Sequence, residues 1–432
     1  MKKKILTILL LSTMVATLVA GCSKSTTGGN DSGKDSTGKK EINILVESGS
    51  PGESVAKSTA ADFEKETGYK VVVDAVPYSG MYDKLSTEIN SKAAVHDVAT
   101  LDVLWLPAFQ NALLPLNDLA TDDVKSDFLP TLVDGGTLNG SLYGFPMWIN
   151  AKVLIYRTDL FSDAANKSAF KAKYGYDLVV PTTWNQYKDV AEFFTKDGMN
   201  GTAVFGAANG DTVCSWLDHV AQAGANPLVL DKDNKVLVNQ APYVEALQYL
   251  CDLYNKGYAP KETLSVASTE AEEMFKNGKL AMQLNWSHQY PAAYAALSGK
   301  VGVAPMIGGS AGVAATTGPW YESVLKTSKN QDIAKKYVKF MYDHNGDYME
   351  AALKIAGRKS VYEKYSTQPG NEHLNAVLTT LAAKQSQNRP ATAHWTEIEE
   401  VLYGAIQNAI AGKATPQAAL DDAKTKIEAI VQ

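Results

Sequence analysis

From residue 41 onward the chain switches repeatedly between short apolar runs and helical spacings. Ile42-Asn43-Ile44-Leu45-Val46 reads as a buried strand that runs into Ser48-Gly49-Ser50-Pro51-Gly52, a turn rich in backbone donors. Val55 to Thr67 then carries helical spacing and stops at Gly68, a C-cap candidate. Tyr69 to Val76 predicts a second strand, Met81 to Lys92 a helix, and Asp102-Val103-Leu104-Trp105-Leu106 a third strand. Strand, helix, strand, helix, strand is the order of βαβ units in a parallel sheet. Further on, Val153 to Tyr156 and Thr202 to Phe205 predict strands. Trp184 to Thr195, with Thr183 as N-cap, and Ala241 to Asn255 predict helices, and from Glu372 the pattern is mostly helical. No repeat is visible, so the pattern predicts an α/β chain of more than one domain and argues against a solenoid.

The first 40 residues follow a different pattern. Lys2, Lys3 and Lys4 precede an apolar run from Ile5 to Ala20, too short for a stable membrane span, which ends in Val19-Ala20-Gly21-Cys22. Residues 1–21 read as an export signal of the lipoprotein kind, with Cys22 as the lipidated first residue after cleavage. Residues 23–40 contain no large apolar side chain, so together with Cys22 they form a flexible tether, residues 22–40. This places the expected location on the outer side of a cell membrane, either a Gram-positive surface or a periplasm, with the lipid on Cys22 as the membrane contact.

Composition narrows the function classes. The 432 residues are 45% hydrophobic and 20% charged, enough for a large core. The net charge is −6, and becomes −9 without the first 21 residues, which hold three lysines and no acid. That balance argues against a nucleic-acid partner and against electrostatic adhesion to anionic lipid. Apart from Cys22, Cys214 and Cys251 lie in helix-like apolar stretches and read as two buried thiols, although export permits a disulfide.

Few motifs carry chemistry. The six histidines, His96, His219, His288, His344, His373 and His394, show no metal-ligand spacing, and no phosphate-binding glycine motif occurs, so no cofactor is expected. Gly308-Gly309-Ser310-Ala311-Gly312 fits the nucleophile elbow of hydrolases. The stretch that follows is small and glycine-bounded where that chemistry needs a helix, so a loop is expected. Glu272-Glu273 and Glu399-Glu400 read as solvated faces, because adjacent acids on a helix point in different directions.

Four stretches together resemble one family. They are Phe63 to Gly68 before a valine-rich strand; Asp102 to Trp105 with Leu113 to Leu119; Gly140 to Pro146 leading to Val153 to Tyr156 and Pro181 to Trp184; and Phe275 to Met282. Ser328-Lys329-Asn330 and Ala411 to Pro416 extend the match, so that it covers nearly all of residues 41–432. In order and spacing the chain resembles the extracellular solute-binding proteins of sugar ABC importers, the maltose-binding-protein-like group. The resemblance implies two α/β lobes joined by crossing segments, with ligand in the cleft between them. One lobe would be residues 41–148 plus 303–345 and the other 151–300 plus 360–432. It also implies a monomer that captures a mono- or oligosaccharide, delivers it to permease subunits and catalyses nothing. A secreted carbohydrate hydrolase and a ligand-sensing partner of a membrane receptor stand as alternatives.

A sugar ring has apolar faces and a rim of hydroxyls, so its site needs aromatic walls and polar groups. The expected ligand residues are Trp105 at a strand end, Trp148 and Asn150 at the first lobe crossing, Trp286 and His288 after a strand, and Trp320 and Tyr321 after a glycine-rich approach. Asp211 and Arg358 complete the set.

Overall fold

The structure is a computed structural model that describes residues 40–351 and 354–432. The export signal, Cys22 and residues 23–39 of the tether lie outside the described residues. No described helix is long and apolar enough to cross a membrane.

Two sheets organise the described chain. The first has five strands in the order Lys70–Val76, Glu41–Glu47, Val98–Asp102, Trp320–Val324, Phe145–Trp148. Glu41–Glu47 pairs parallel with both of its neighbours, and Ile42, Ile44, Leu45 and Val46 are fully buried, as an apolar run covered on both faces must be. Its helix Pro51–Thr67 starts on Ser50, whose side chain accepts from the Glu53 N–H at 3.1 Å. The helix ends at Gly68, which takes φ 74° and donates its N–H to the Glu64 carbonyl. Phe63 locks the helix against Gln331–Asp343 by edge contacts to Tyr337 and Phe340, at 5.3 and 5.2 Å between ring centres.

The parallel rhythm stops after three strands. Trp320–Val324 lies antiparallel to both of its neighbours, and the second sheet is antiparallel throughout, with Lys152–Arg157 between Met282–Trp286 and Val301–Ala304. Two expected strands differ. The third strand is Val98–Asp102, not residues 102–106. The Asp102 carboxylate accepts from the Leu104 N–H at 3.2 Å and turns the chain out of the sheet, and Pro107 suits the first turn of the short helix Leu106–Phe109. Thr202 to Phe205 is not a strand: the Thr202 and Gly206 N–H groups bond the carbonyls of Tyr258 and Val266 in loops.

The chain passes from the first sheet to the second through residues 149–151. It returns after Ala304, since Val303 and Ala304 still pair with Ile155 and Leu154. Helix Lys359–Tyr365 is tied to the first side, where Ser360 donates to Asp127 and the Tyr362 hydroxyl donates to the Ile149 carbonyl. Helix Glu372–Leu381 packs on the second sheet. Ser310 sits exposed at the turn of a two-residue hairpin between Gly308–Gly309 and Gly312–Val313, so no elbow forms. Cys214 and Cys251 are both free and buried, and burial pushes their thiols up to about 11 and about 12.

Candidate functional site

The parallel strands point their C-terminal ends at one cavity of about 680 Å³. Glu47 and Asp102 are the last residues of two of them, and both line it. The donor-rich turn Ser48–Pro51 and Tyr78, at the start of helix Tyr78–Ser91, complete that wall with Trp148 and Trp320. The opposite wall comes from the second sheet and its helices. It includes Asn209 and Asp211 at the start of helix Gly210–Gln222, Ser268 and Glu272 on helix Ser268–Lys276, and Trp286 and His288.

The aromatic groups differ in how they are held. Trp148 and Trp320 stack at 5.5 Å with their planes 14° apart, and both are almost fully buried. Trp148 also crowds Gly52, where a Cβ would stand 2.9 Å from its ring. Trp286, the last residue of its strand, is half-buried. Its indole N–H donates to Asp211 at 2.9 Å, and the Lys152 ammonium lies 4.1 Å from its ring centre.

The polar groups form two sets. Ser287 donates to the Asn150 amide oxygen at 2.7 Å, and the Asn150 amide nitrogen lies 2.6 Å from His288 Nδ1. Burial lowers the His288 imidazole to about 4, so it is neutral and its Nδ1 accepts from Asn150. The second set centres on Arg389. Its Nη2 donates to both Asp102 oxygens, at 2.7 and 2.9 Å, and its Nε to the Thr317 carbonyl at 3.0 Å. Burial pushes the Glu47 carboxyl up to about 8, helped by Asp102 and Asp211. Burial likewise raises Glu399 to about 7.

Six of the nine expected residues therefore meet at the cavity: Trp148, Asn150, Asp211, Trp286, His288 and Trp320. Three do not. Trp105 precedes a helix instead of ending a strand; it is 4% exposed and packs behind the wall on Tyr78 and Trp320, at 4.8 and 5.7 Å. Tyr321 follows Trp320 on a strand and so points to the other face, where its hydroxyl donates to the Leu132 carbonyl at 3.0 Å. Arg358 pairs with Asp127 at 2.5 Å and lies over the Tyr342 ring, away from the cavity. Glu272 and Glu399 line the cavity instead of forming solvated faces, while Glu273 and Glu400 are exposed as expected.

Glu47, Tyr78, Asp102, Arg389 and Glu399 were missed. For Glu47 and Asp102 the signal was available, since a carboxylate closing a parallel strand stands where such sheets gather ligands. Among the described residues, no group of three His, Cys, Asp or Glu side chains comes close enough to hold a metal ion.

Residues 48–347 match the family of bacterial extracellular solute-binding proteins. This chain belongs to that family. A maltooligosaccharide ABC transporter solute-binding lipoprotein of Streptococcus pneumoniae is 25% identical to it, over 98% of this chain and 96% of the relative. A probable ABC transporter-binding protein of Deinococcus radiodurans is 26% identical over 84% and 87%. Among solved structures, the maltose-bound protein MalE3 of T. maritima superposes with a TM-score of 0.77 at 26% identity, over 90% of this chain and 99% of that one. This solute-binding protein has the two-lobed α/β fold of such proteins, and the cavity lies between its two sheets.

The placement of Arg358 carries a prediction. Arg358→Ala in this solute-binding protein is expected to cost about 1–3 kcal/mol of stability through the lost bonds to Asp127 and the Tyr342 carbonyl. Solute affinity should stay within about twofold. Chemical denaturation and calorimetry together check this; a large affinity loss at unchanged stability would return Arg358 to the site.

Proposed function

We propose that this protein captures a carbohydrate in the cleft and delivers it to the permease of an ABC importer, without catalysing a reaction. The observation that carries the reading is the lining of the cavity. Indoles of Trp148, Trp286 and Trp320 offer flat apolar faces, and carboxylates, amides and a guanidinium from both sheets surround them. That is the chemistry a sugar ring needs, with C–H faces against aromatic rings and hydroxyls against charged acceptors and donors. The sugar-binding names of the S. pneumoniae and T. maritima proteins support it.

The division into lobes follows the sheets. Residues 41–148, the Trp320–Val324 strand and the chain to about residue 365 form one lobe. Residues 151–304 and 372–432 form the other. Contacts made by one ligand to both lobes favour the closed arrangement, a hinge-type shift of population. Calorimetry across a panel of mono- and oligosaccharides, with small-angle scattering, tests this. Saturable binding with compaction supports it, and binding of a peptide or amino acid with no sugar binding refutes the carbohydrate ligand. Recovery of excess oligosaccharide intact supports capture, whereas cleavage favours a hydrolase. A membrane receptor in place of a permease in a pull-down favours a sensing role.

The lipid on Cys22 keeps the protein beside its permease. Cys22→Ala is expected to release the protein from membranes or block its processing, with solute affinity unchanged. Fractionation with quantitative blotting checks this; a mutant that stays membrane-bound at wild-type levels overturns the anchor.

A further inference from the structure

The cleft holds more carboxyl groups than its own cations answer. Five carboxyl groups line it from both walls, Glu47, Asp102, Asp211, Glu272 and Glu399, together with a single guanidinium, Arg389. That guanidinium is already committed to Asp102, and Glu272 is met by Lys276 at 3.4 Å. Among the described residues no lysine or arginine stands within ion-pair distance of the other three. Among the described residues Asp211 accepts from Trp286 and Ser268 alone, and Glu399 from the Trp395 indole at 3.0 Å. The Glu47 carboxylate, set into the wall, makes no hydrogen bond or ion pair at all among the described residues. The Lys152 ammonium, over the Trp286 ring, is fully buried and bound to Asp218. The starts of helices Pro51–Thr67, Tyr78–Ser91, Gly210–Gln222 and Ser268–Lys276 border the cavity and add about half a positive charge each, which eases the acidity of the cleft without supplying a cation that can pair with Glu47.

We propose that the carbohydrate taken by this cleft carries a protonated amine, placed against Glu47 within reach of Glu399 and Asp211. This rests on the carbohydrate reading and specifies its chemical class. The hydroxyls of a plain sugar hydrogen-bond such carboxyls but supply no cation, so Glu47 stays protonated and Asp211 gains no ion-pair partner. An ammonium satisfies them and gives Glu47 its missing partner. Among the described residues no three such acids come close enough to hold a metal ion, and the half-buried indole of Trp286 stands beside Asp211, where it suits an organic cation.

Glu47 is protonated in the empty cleft at pH 6, because burial, Asp102 and Asp211 raise it to about 8 against the opposing pull of Arg389. The buried His288 nearby is neutral there and offers no competing charge. When an ammonium docks, the Glu47 O–H bond breaks, the carboxylate pairs with the ammonium, and the proton leaves to solvent.

The test is calorimetry at pH 6 in two buffers of different ionisation enthalpy. The probes are glucose, galactose and mannose and their short oligosaccharides, each beside its 2-amino-2-deoxy and N-acetyl counterparts, with spermidine as an amine without a sugar. At least one amino sugar is expected to bind tenfold or more tightly than both counterparts and to release between one and two protons, from Glu47 and in part from Glu399. Glu47→Gln should lower the release to the part that Glu399 supplies and reduce the preference at least tenfold, with the melting temperature held. A neutral sugar that binds as tightly as its amine, without proton release, overturns this inference and leaves the carbohydrate reading standing. Binding of spermidine and of no sugar overturns both.

Discussion

Replacing Asp218 with alanine is expected to lower stability by about 3–5 kcal/mol, with a melting temperature lower by on the order of 10 °C. Asp218 is fully buried and holds three groups from distant parts of the chain. It binds the Lys152 ammonium at 3.1 Å, the Thr316 N–H at 2.6 Å and the Thr316 hydroxyl at 2.8 Å. Lys152 follows the first crossing, residues 149–151, and Thr316 lies on the return segment before the Trp320–Val324 strand. One carboxylate therefore ties the end of the first crossing to the return segment. Without it Lys152, itself fully buried, is left as an unpaired charge, which is the costly part. The double variant Lys152→Met, Asp218→Leu should recover part of the loss and not all of it, because the Thr316 N–H still lacks an acceptor. Denaturant titrations of the three proteins measure this, and a single variant as stable as the parent would show that the network carries little.

Trp286→Ala is expected to weaken solute binding by about 1–3 kcal/mol, roughly 5- to 150-fold, with a small effect on stability. Its ring is half-buried at the cavity wall, and its indole N–H orients Asp211. Asp211 keeps its bonds from the Ser268 hydroxyl and N–H when the indole is gone, so the fold loses little. A core tryptophan would behave oppositely, costing about 3–5 kcal/mol of stability on truncation. His288→Ala is the comparison: its neutral ring is held by Asn150 and it lines the same cavity. Melting temperature without ligand and affinity with ligand separate the cases. A large stability loss at unchanged affinity for Trp286→Ala would place this ring in the core.

Much of the architecture was legible in local pattern, because it depends on residues close in sequence. The Glu41–Glu47 strand, its helix with the Ser50 start and Gly68 stop, helix Ala241–Asn255 and the Thr183 cap of helix Trp184–Phe194 each follow from a few neighbouring side chains. Asn150 and Trp148 were identified because they lie between Pro146 and the Val153 strand, where the resemblance to solute-binding proteins implies a crossing. What the pattern left open was set by pairing over long separations. Whether Trp320 or Tyr321 faces the cavity depends on register against Asp102 and Leu101, and alternation alone does not say which face is which. A shift of four residues in the third strand moved Trp105 behind the wall and put Asp102 on it. Arg389 reaches Asp102 across 287 residues of sequence, and no local signal marks it. The charges of the cleft belong to the same class: Glu47 and Glu399 depart from ordinary carboxyls only because folding buries them beside other acids. Short-range sterics and hydrogen bonds are written in the chain locally, whereas burial and charge proximity exist only once distant segments meet.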